Sequence, residues 1–353
     1  MRTCYKLIAT LAIPLATTLL ASTQVWAQAT TTAPQWVQGA PIPQGAEEVY
    51  GIAARGKMYV LGGLAAGWKS IGMVMEYDPG SNTWARKKDM PAYQHHVAIT
   101  EHNGKIYTFG GYKLPESGPA TWIPLNTAWE YDPQNDSWRA LAPVPQARGS
   151  SSAIVVNGKI HLIGGATLPF EMKNTNFHPS LNVSVGTHEV YDIASNSWSK
   201  RADLPTPRNH AAAGAINGKI YIVGGRAGSV FIPNALNVDI VEEYDPATDQ
   251  WQLRAPMPTP RSAAAWGVHN GKVIVAGGEI RHRDFWGTYT AVESYDPVSN
   301  SWTRLAPMPL PRHGLAGGVI GNRLHLISGS VQSGTNVPGL VTNSDRHDIL
   351  NLQ

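Results

Sequence analysis

Glu279 stands directly after the glycine pair Gly277-Gly278, with Arg281, Arg283 and Trp286 close behind it. Arg226 holds the same place after Gly224-Gly225. A carboxylate that can exchange a proton, beside a guanidinium that can steady an anion, is equipment for acid–base chemistry on a sugar-like substrate. In that reading Glu279 carries the proton and Arg226 or Arg283 is its partner. Glu47, His95 and His313 make a second set, two imidazoles and one carboxylate, the donor types of a transition-metal triad. A histidine at a rim serves more often as a hydrogen-bonding group, so no metal and no cofactor is assigned. A third reading requires no reaction. Aromatic faces such as Trp122 and Trp286, next to charged groups, suit a bound sugar, glycan or protein loop.

These residues have two kinds of position in the chain. One is a three-residue lead-in to an apolar run: Ala46-Glu47-Glu48, Gln94-His95-His96, Arg148-Gly149-Ser150, Arg208-Asn209-His210, Arg261-Ser262-Ala263 and Arg312-His313-Gly314. Arg148, Arg208, Arg261 and Arg312 open four of the six. Their five fixed donors suit loop carbonyls, so they read as ties between strands as well as candidate ligand contacts. Glu47, His95 and His313 break the repeat, and Asn209 and Ser262 add polar groups at the same level. The other position is the stretch after each glycine pair, which holds Trp122, Phe170, Phe177, His178, Arg226, Phe231 and the run from Glu279 to Tyr289.

A rigid frame must hold such scattered groups together. Residues 204–260 read LPTPRNHAAAGAINGKIYIVGG, then a variable loop, then VEEYDPATDQWQLRAPMPTP. That is four strand-like runs with turn chemistry between them, and Asn217-Gly218 is a strong hairpin signal. The unit recurs. The second glycine returns at Gly63, Gly111, Gly165, Gly225, Gly278 and Gly329, and a tyrosine at Tyr77, Tyr131, Tyr191, Tyr244 and Tyr295, each followed seven residues later by a tryptophan. The tyrosine-to-tryptophan spacing is fixed while the glycine-to-tyrosine spacing varies, so one turn is structural and one loop is free. A period of roughly 50 residues with four strands per unit predicts a kelch-type β-propeller. The expected fold is all-β with six blades, each of four antiparallel strands, over residues 30–353. Trp36 lies in a fourth-strand pattern with nothing before it, and the last repeat stops short of its own fourth strand. The N-terminal strand is therefore expected to complete the last blade and close the ring. Alternating strand directions put the lead-ins and the variable loops on one face, where a ligand site is expected.

The composition agrees, with 35 Gly, 26 Pro and 12 Trp but only 15% charged residues. Residues 1–29 read as a secretory signal peptide, from Arg2 and Lys6 through the apolar run Leu7–Ala21 to a small-residue cleavage site. A periplasmic or secreted location follows as an expectation. Without that segment the chain keeps no cysteine, because its one Cys is Cys4, and its formal charge falls from +3 to +1. A disulfide, a thiolate nucleophile and a basic nucleic-acid footprint are thereby excluded. No further apolar run is long enough to span a membrane, and a monomer is expected.

The pattern from PR through NGK and the glycine pair to YDP and tryptophan resembles the kelch-repeat superfamily from Trp36 onward. Within it, galactose oxidase implies a Tyr–Cys crosslink, for which no cysteine is present here. The kelch domains of ubiquitin-ligase adaptors imply ligand contacts at Glu47, His95, Asn209, Ser262, His313, Arg226 and Glu279. The chain is also distantly similar to the periplasmic N-acetylneuraminate mutarotases. That resemblance implies a catalytic Glu after the glycine pair and an Arg six residues on. Glu279 matches the first, but Phe285 stands at the second.

Overall fold

The computed structural model describes residues 36–115, 122–169, 181–282, 285–333 and 342–352. The chain divides into units 1–33 and 34–353, and the fold described is that of the second. The expected signal peptide, Phe170, Phe177, His178 and Arg283 lie outside the described residues.

Among the described residues, six four-stranded antiparallel sheets make the propeller, with five small two-stranded sheets attached. The blades are numbered in chain order, their innermost strands being Tyr50–Ala54, Ala98–His102, Ser152–Val156, Ala212–Ile216, Ala265–His269 and Ala316–Ile320, and blade 4 shows the plan. Its strands Ala212–Ile216, Lys219–Val223, Val241–Asp245 and Gln250–Arg254 pair in sequence order from the axis outward. Asn217 and Gly218 both have positive φ, as the tight turn between the first two strands requires. In blade 6 the strands Ala316–Ile320, Arg323–Ile327 and His347–Asn351 are completed by Trp36–Gln38, with Trp36 opposite Leu350. The closure is as the sequence implies.

The core lies between blades. Tyr244 and Trp251 pack edge-to-face against His188 of the preceding blade, and Tyr77 and Trp84 do the same at His347. The constant tyrosine-to-tryptophan spacing has a specific cause. The Asx residue two before each tryptophan sits in the left-handed region, and its Oδ1 accepts the tyrosine hydroxyl. In blade 4, Asp249 also accepts the backbone N–H of Ala202, while Trp251 Nε1 donates to the carbonyl of that same Ala202. Both backbone polar groups of one residue from the previous blade are gripped within a single turn. Any change in spacing would break the grip.

The second glycine of each pair lets two chain segments touch. A Cβ on Gly225 would sit 2.6 Å from the Asn209 carbonyl, and one on Gly278 would sit 2.7 Å from that of Ser262. The contact so permitted is a β-bridge between the middle lead-in residue and the residue after the glycines. It joins Glu47 to Leu64, His95 to Tyr112, Asn209 to Arg226, Ser262 to Glu279 and His313 to Ser330. The short hairpins that follow, such as Arg226–Gly228 with Ala235–Asn237 and Glu279–His282 with Phe285–Thr288, were read from sequence only as variable loops.

Candidate functional site

The third lead-in residue turns inward. Glu48, His96, Ser150, His210, Ala263 and Gly314 all have φ between 52° and 58°. Left-handed backbone at His96, His210 and Glu48 is uncommon for side chains of that size and is held only where surrounding structure insists. Backbone hydrogen bonds passing from blade to blade supply that insistence, from Ser150 N–H to His96, His210 to Ser150, Ala263 to His210 and Gly314 to Ala263. The result is a girdle of side chains around the axis.

Above the girdle is a small pocket lined by Glu47, Glu48, Leu64, Trp68, Trp122, Arg226, Phe231, Ile232, Glu279 and His313. Its polar half is built from four blades, the first, fourth, fifth and sixth. Arg226 donates to Glu279 Oε1 at 2.6 Å, to His210 Nε2 at 2.9 Å, and more distantly to Asn209 Oδ1 and Ser262 Oγ at 3.3 Å. Ser333 donates to Glu279 Oε2 at 2.7 Å. His313 lies 3.6 Å from Glu279 Oε2, 3.7 Å from Glu48 Oε1 and 3.9 Å from Glu47 Oε2. Its apolar half is the Trp68–Trp122 pair, with ring centroids 6.2 Å apart, and Phe231 set edge-on to Trp122. The indole Nε1–H groups of Trp68 and Trp122 are buried and have no hydrogen-bond partner among the described residues.

Burial and crowding set the charges. Removal from water raises Glu47 to about 7, with Glu48 and Glu279 adding to the rise and His313 opposing it. Glu48 is pulled well below the usual carboxylate range: burial opposes this, and the facing His96, His210 and His313 outweigh it. His95 and His210 are held well below the ordinary histidine value, first by burial. His313 goes the other way, because three carboxylates overcome its burial.

The structure thus brings Arg226, Glu279, His313, Glu47 and Trp122 to one pocket, with Asn209 and Ser262 bracing Arg226. The Arg–Glu pair absent from local sequence exists across blades, 53 residues apart. The set Glu47, His95 and His313 is not assembled. His95 instead packs against Trp122, with ring centroids 5.1 Å apart, and its Nδ1 meets His96 Nδ1 at 2.5 Å. The left-handed turn at His96 brings that ring to His210 and Glu48, with Trp122 packed against both histidines. Arg148, Arg208, Arg261 and Arg312 are buried away from this pocket lining. Each bonds backbone carbonyls and one carboxylate of its own blade: Glu189, Glu242, Glu293 and Asp348 respectively. Trp286 lies outside the pocket with the Arg281 guanidinium 3.8 Å over its ring.

Glu48, His96, His210, Trp68 and Ser333 were not singled out from sequence. The first three occupy equivalent third lead-in positions, a recurrence that could have drawn attention to them. Gly149 shows why blade 3 contributes less at the middle position. The Tyr112 ring fills the space a Cβ would need there, and its hydroxyl donates to the Ala166 carbonyl.

A family model described as Attractin/LZTR1 beta-propeller matches residues 18–232, and one described as Kelch motif matches residues 207–258 and 260–309. The Kelch-like protein terF of Aspergillus terreus is 28% identical over 292 residues, 81% of this chain and 61% of that protein. Human Kelch-like protein 23 is 29% identical over 280 residues, 78% of this chain and 44% of that protein. The chain therefore spans about half the length of these relatives. Among solved structures, that of YjhT superposes with a TM-score of 0.70 at 18% identity, covering 88% of this chain and 95% of that one.

Proposed function

The chain belongs to the Attractin/LZTR1 β-propeller family and carries kelch motifs; on that premise we propose that it is a ligand-binding propeller whose ligand is a small sugar or the sugar end of a glycan. One observation carries this reading. Trp68 and Trp122 line a pocket that also holds Glu47, Glu279, Arg226 and His313, and both indole donors are buried without a partner among the described residues. Buried donors are normally satisfied, and a polyhydroxylated ligand supplies acceptors for them while its C–H face lies on the rings. The carboxylates would accept its hydroxyl protons. A protein loop is the other ligand class that a kelch face would take. In keeping with residues 1–29, the protein would act in the periplasm or outside the cell, as a monomer.

A second reading has one observation in its favour. The Arg226–Glu279 contact places a guanidinium and a carboxylate side by side at the pocket, which suits proton exchange at an anomeric centre, as the mutarotase resemblance implies. Both readings meet one experiment. NMR of a panel of free sugars, including sialic acid and galactose, would show selective line broadening for a bound sugar. It would show accelerated α/β exchange for a turned-over one. Glu279→Gln is expected to abolish any such exchange, and full retention would remove Glu279 as proton carrier. Silence across the panel would overturn the sugar reading in favour of a protein partner.

A further inference from the structure

Glu48, Glu279 and His313 converge at the pocket, with the far carboxylate oxygens held by His96 and Arg226. His313 Nε2 lies 2.8 Å from the Gln332 carbonyl. That nitrogen must donate, so in the neutral ring Nδ1 is a lone pair. Nδ1 is buried, has no hydrogen-bond partner among the described residues, and faces two carboxylate oxygens, Glu48 Oε1 at 3.7 Å and Glu279 Oε2 at 3.6 Å. One nitrogen and two oxygens therefore converge within 4.8 Å of one another, all three residues buried.

We propose that Glu48, Glu279 and His313 bind one divalent first-row transition-metal ion, of the zinc or manganese kind. Several observations separate this from a chance acidic cluster. Ligand atoms about 2.0–2.2 Å from a tetrahedral zinc lie roughly 3.3–3.6 Å apart, close to the His313 distances. The donor set mixes imidazole with carboxylates, which suits zinc, iron or manganese better than the all-oxygen shells of calcium or magnesium. The outer contacts are in place as well. The Gln332 carbonyl orients His313, and the Ser333 hydroxyl holds Glu279 Oε2, the supports that metal-binding side chains ordinarily have.

All three ligands line the pocket, so the remaining coordination positions open toward any bound molecule. Three protein ligands and an open position is the arrangement of a working site rather than a structural one. A second group, Glu48 with His96 and His210, meets the same distance criterion. There, however, His210 Nε2 already accepts from Arg226, and neither histidine lines the pocket. The site with His313 is the one assigned.

The test is metal content. Full-length protein freed of metal with a chelator and dialysed against Zn²⁺ or Mn²⁺ should retain about one ion per chain, the count for a single closed set of ligands. With Co²⁺ it should give the visible absorption bands of a bound ion. Glu48→Gln and His313→Gln should lose the ion, and Ser333→Ala should weaken binding roughly 10-fold, the usual effect of removing an outer contact. Should a variant fail to fold, the wild-type stoichiometry still decides. Wild-type protein that retains no ion, with a His313 ring shown by ¹⁵N NMR to carry two protons, would overturn the proposal, because a proton then occupies Nδ1. Binding that persists unchanged in all three variants would overturn it equally.

Discussion

Arg208 and Arg226 are 18 positions apart and equally hidden from solvent, yet they serve different ends. Arg208 donates to the carbonyls of Thr206, Ile222 and Gly224 and closes an ion pair with Glu242. Every bond holds the lead-in against its own blade. Arg226 instead bonds side chains only, reaching Asn209, His210, Ser262 and Glu279 around the axis. Removing one partner of a buried pair leaves the other charge stranded, at a cost of about 3–5 kcal/mol. Arg208→Met should therefore lower stability by that order in chemical denaturation. Changing both Arg208 and Glu242 to apolar residues should recover much of it. If Arg208→Met melts like the wild type, the arginine is not a structural tie.

Within a blade, the turn before the fourth strand carries a comparable burden. Asp249 Oδ1 accepts from the Tyr244 hydroxyl and from the Ala202 N–H. Asp249→Ala should cost about 1–3 kcal/mol, since two donors lose their acceptor. Asp249→Asn, which keeps the Oδ1 and copies Asn82, Asn196 and Asn300 in other blades, should cost far less. Equal losses would mean that the negative charge matters and not the geometry. This turn was legible in the sequence because all its parts lie within eight residues. So were the tight first turns and the closing strand, each announced by local chemistry or by a gap in the repeat. The Arg226–Glu279 contact was not, because it joins side chains of two blades that only the assembled ring brings together. His95 misled for the same reason. Its type suggested a ligand, but backbone handedness at the next residue decides which of two adjacent rings faces inward.

The whole molecule has its own response to acid. His161 with His188, and His325 with His347, are packed between blades with ring nitrogens 2.9 Å apart. Burial is the main cause that depresses all four, to about 3 and 4 in the first pair and about 4 and 3 in the second. The folded values lie below the unfolded one of about 6.5, so the unfolded chain binds more protons across that interval. These pairs leave stability intact above about pH 6.5 and erode it as pH falls toward 4. Melting temperature should therefore hold between pH 7 and 8 and decline on acidification. The double change His161→Ile with His188→Val, the residues blade 5 carries as Ile274 and Val292, should flatten part of that decline. A decline identical to the wild type would place the acid sensitivity elsewhere.

The girdle of left-handed residues makes the floor beneath the pocket modular in an unusual sense. Six blades each present one side chain at the same backbone conformation, and the identities there range from Gly314 and Ala263 to His96 and Glu48. The backbone hydrogen bonds that fix the ring ignore what the side chain is. The strand ladders and the Tyr–Asx–Trp grips that stabilise the sheets lie elsewhere. The side chains of the axis are thus written in an alphabet separate from the one that writes the fold, so they can change one letter at a time while the propeller stays as it is.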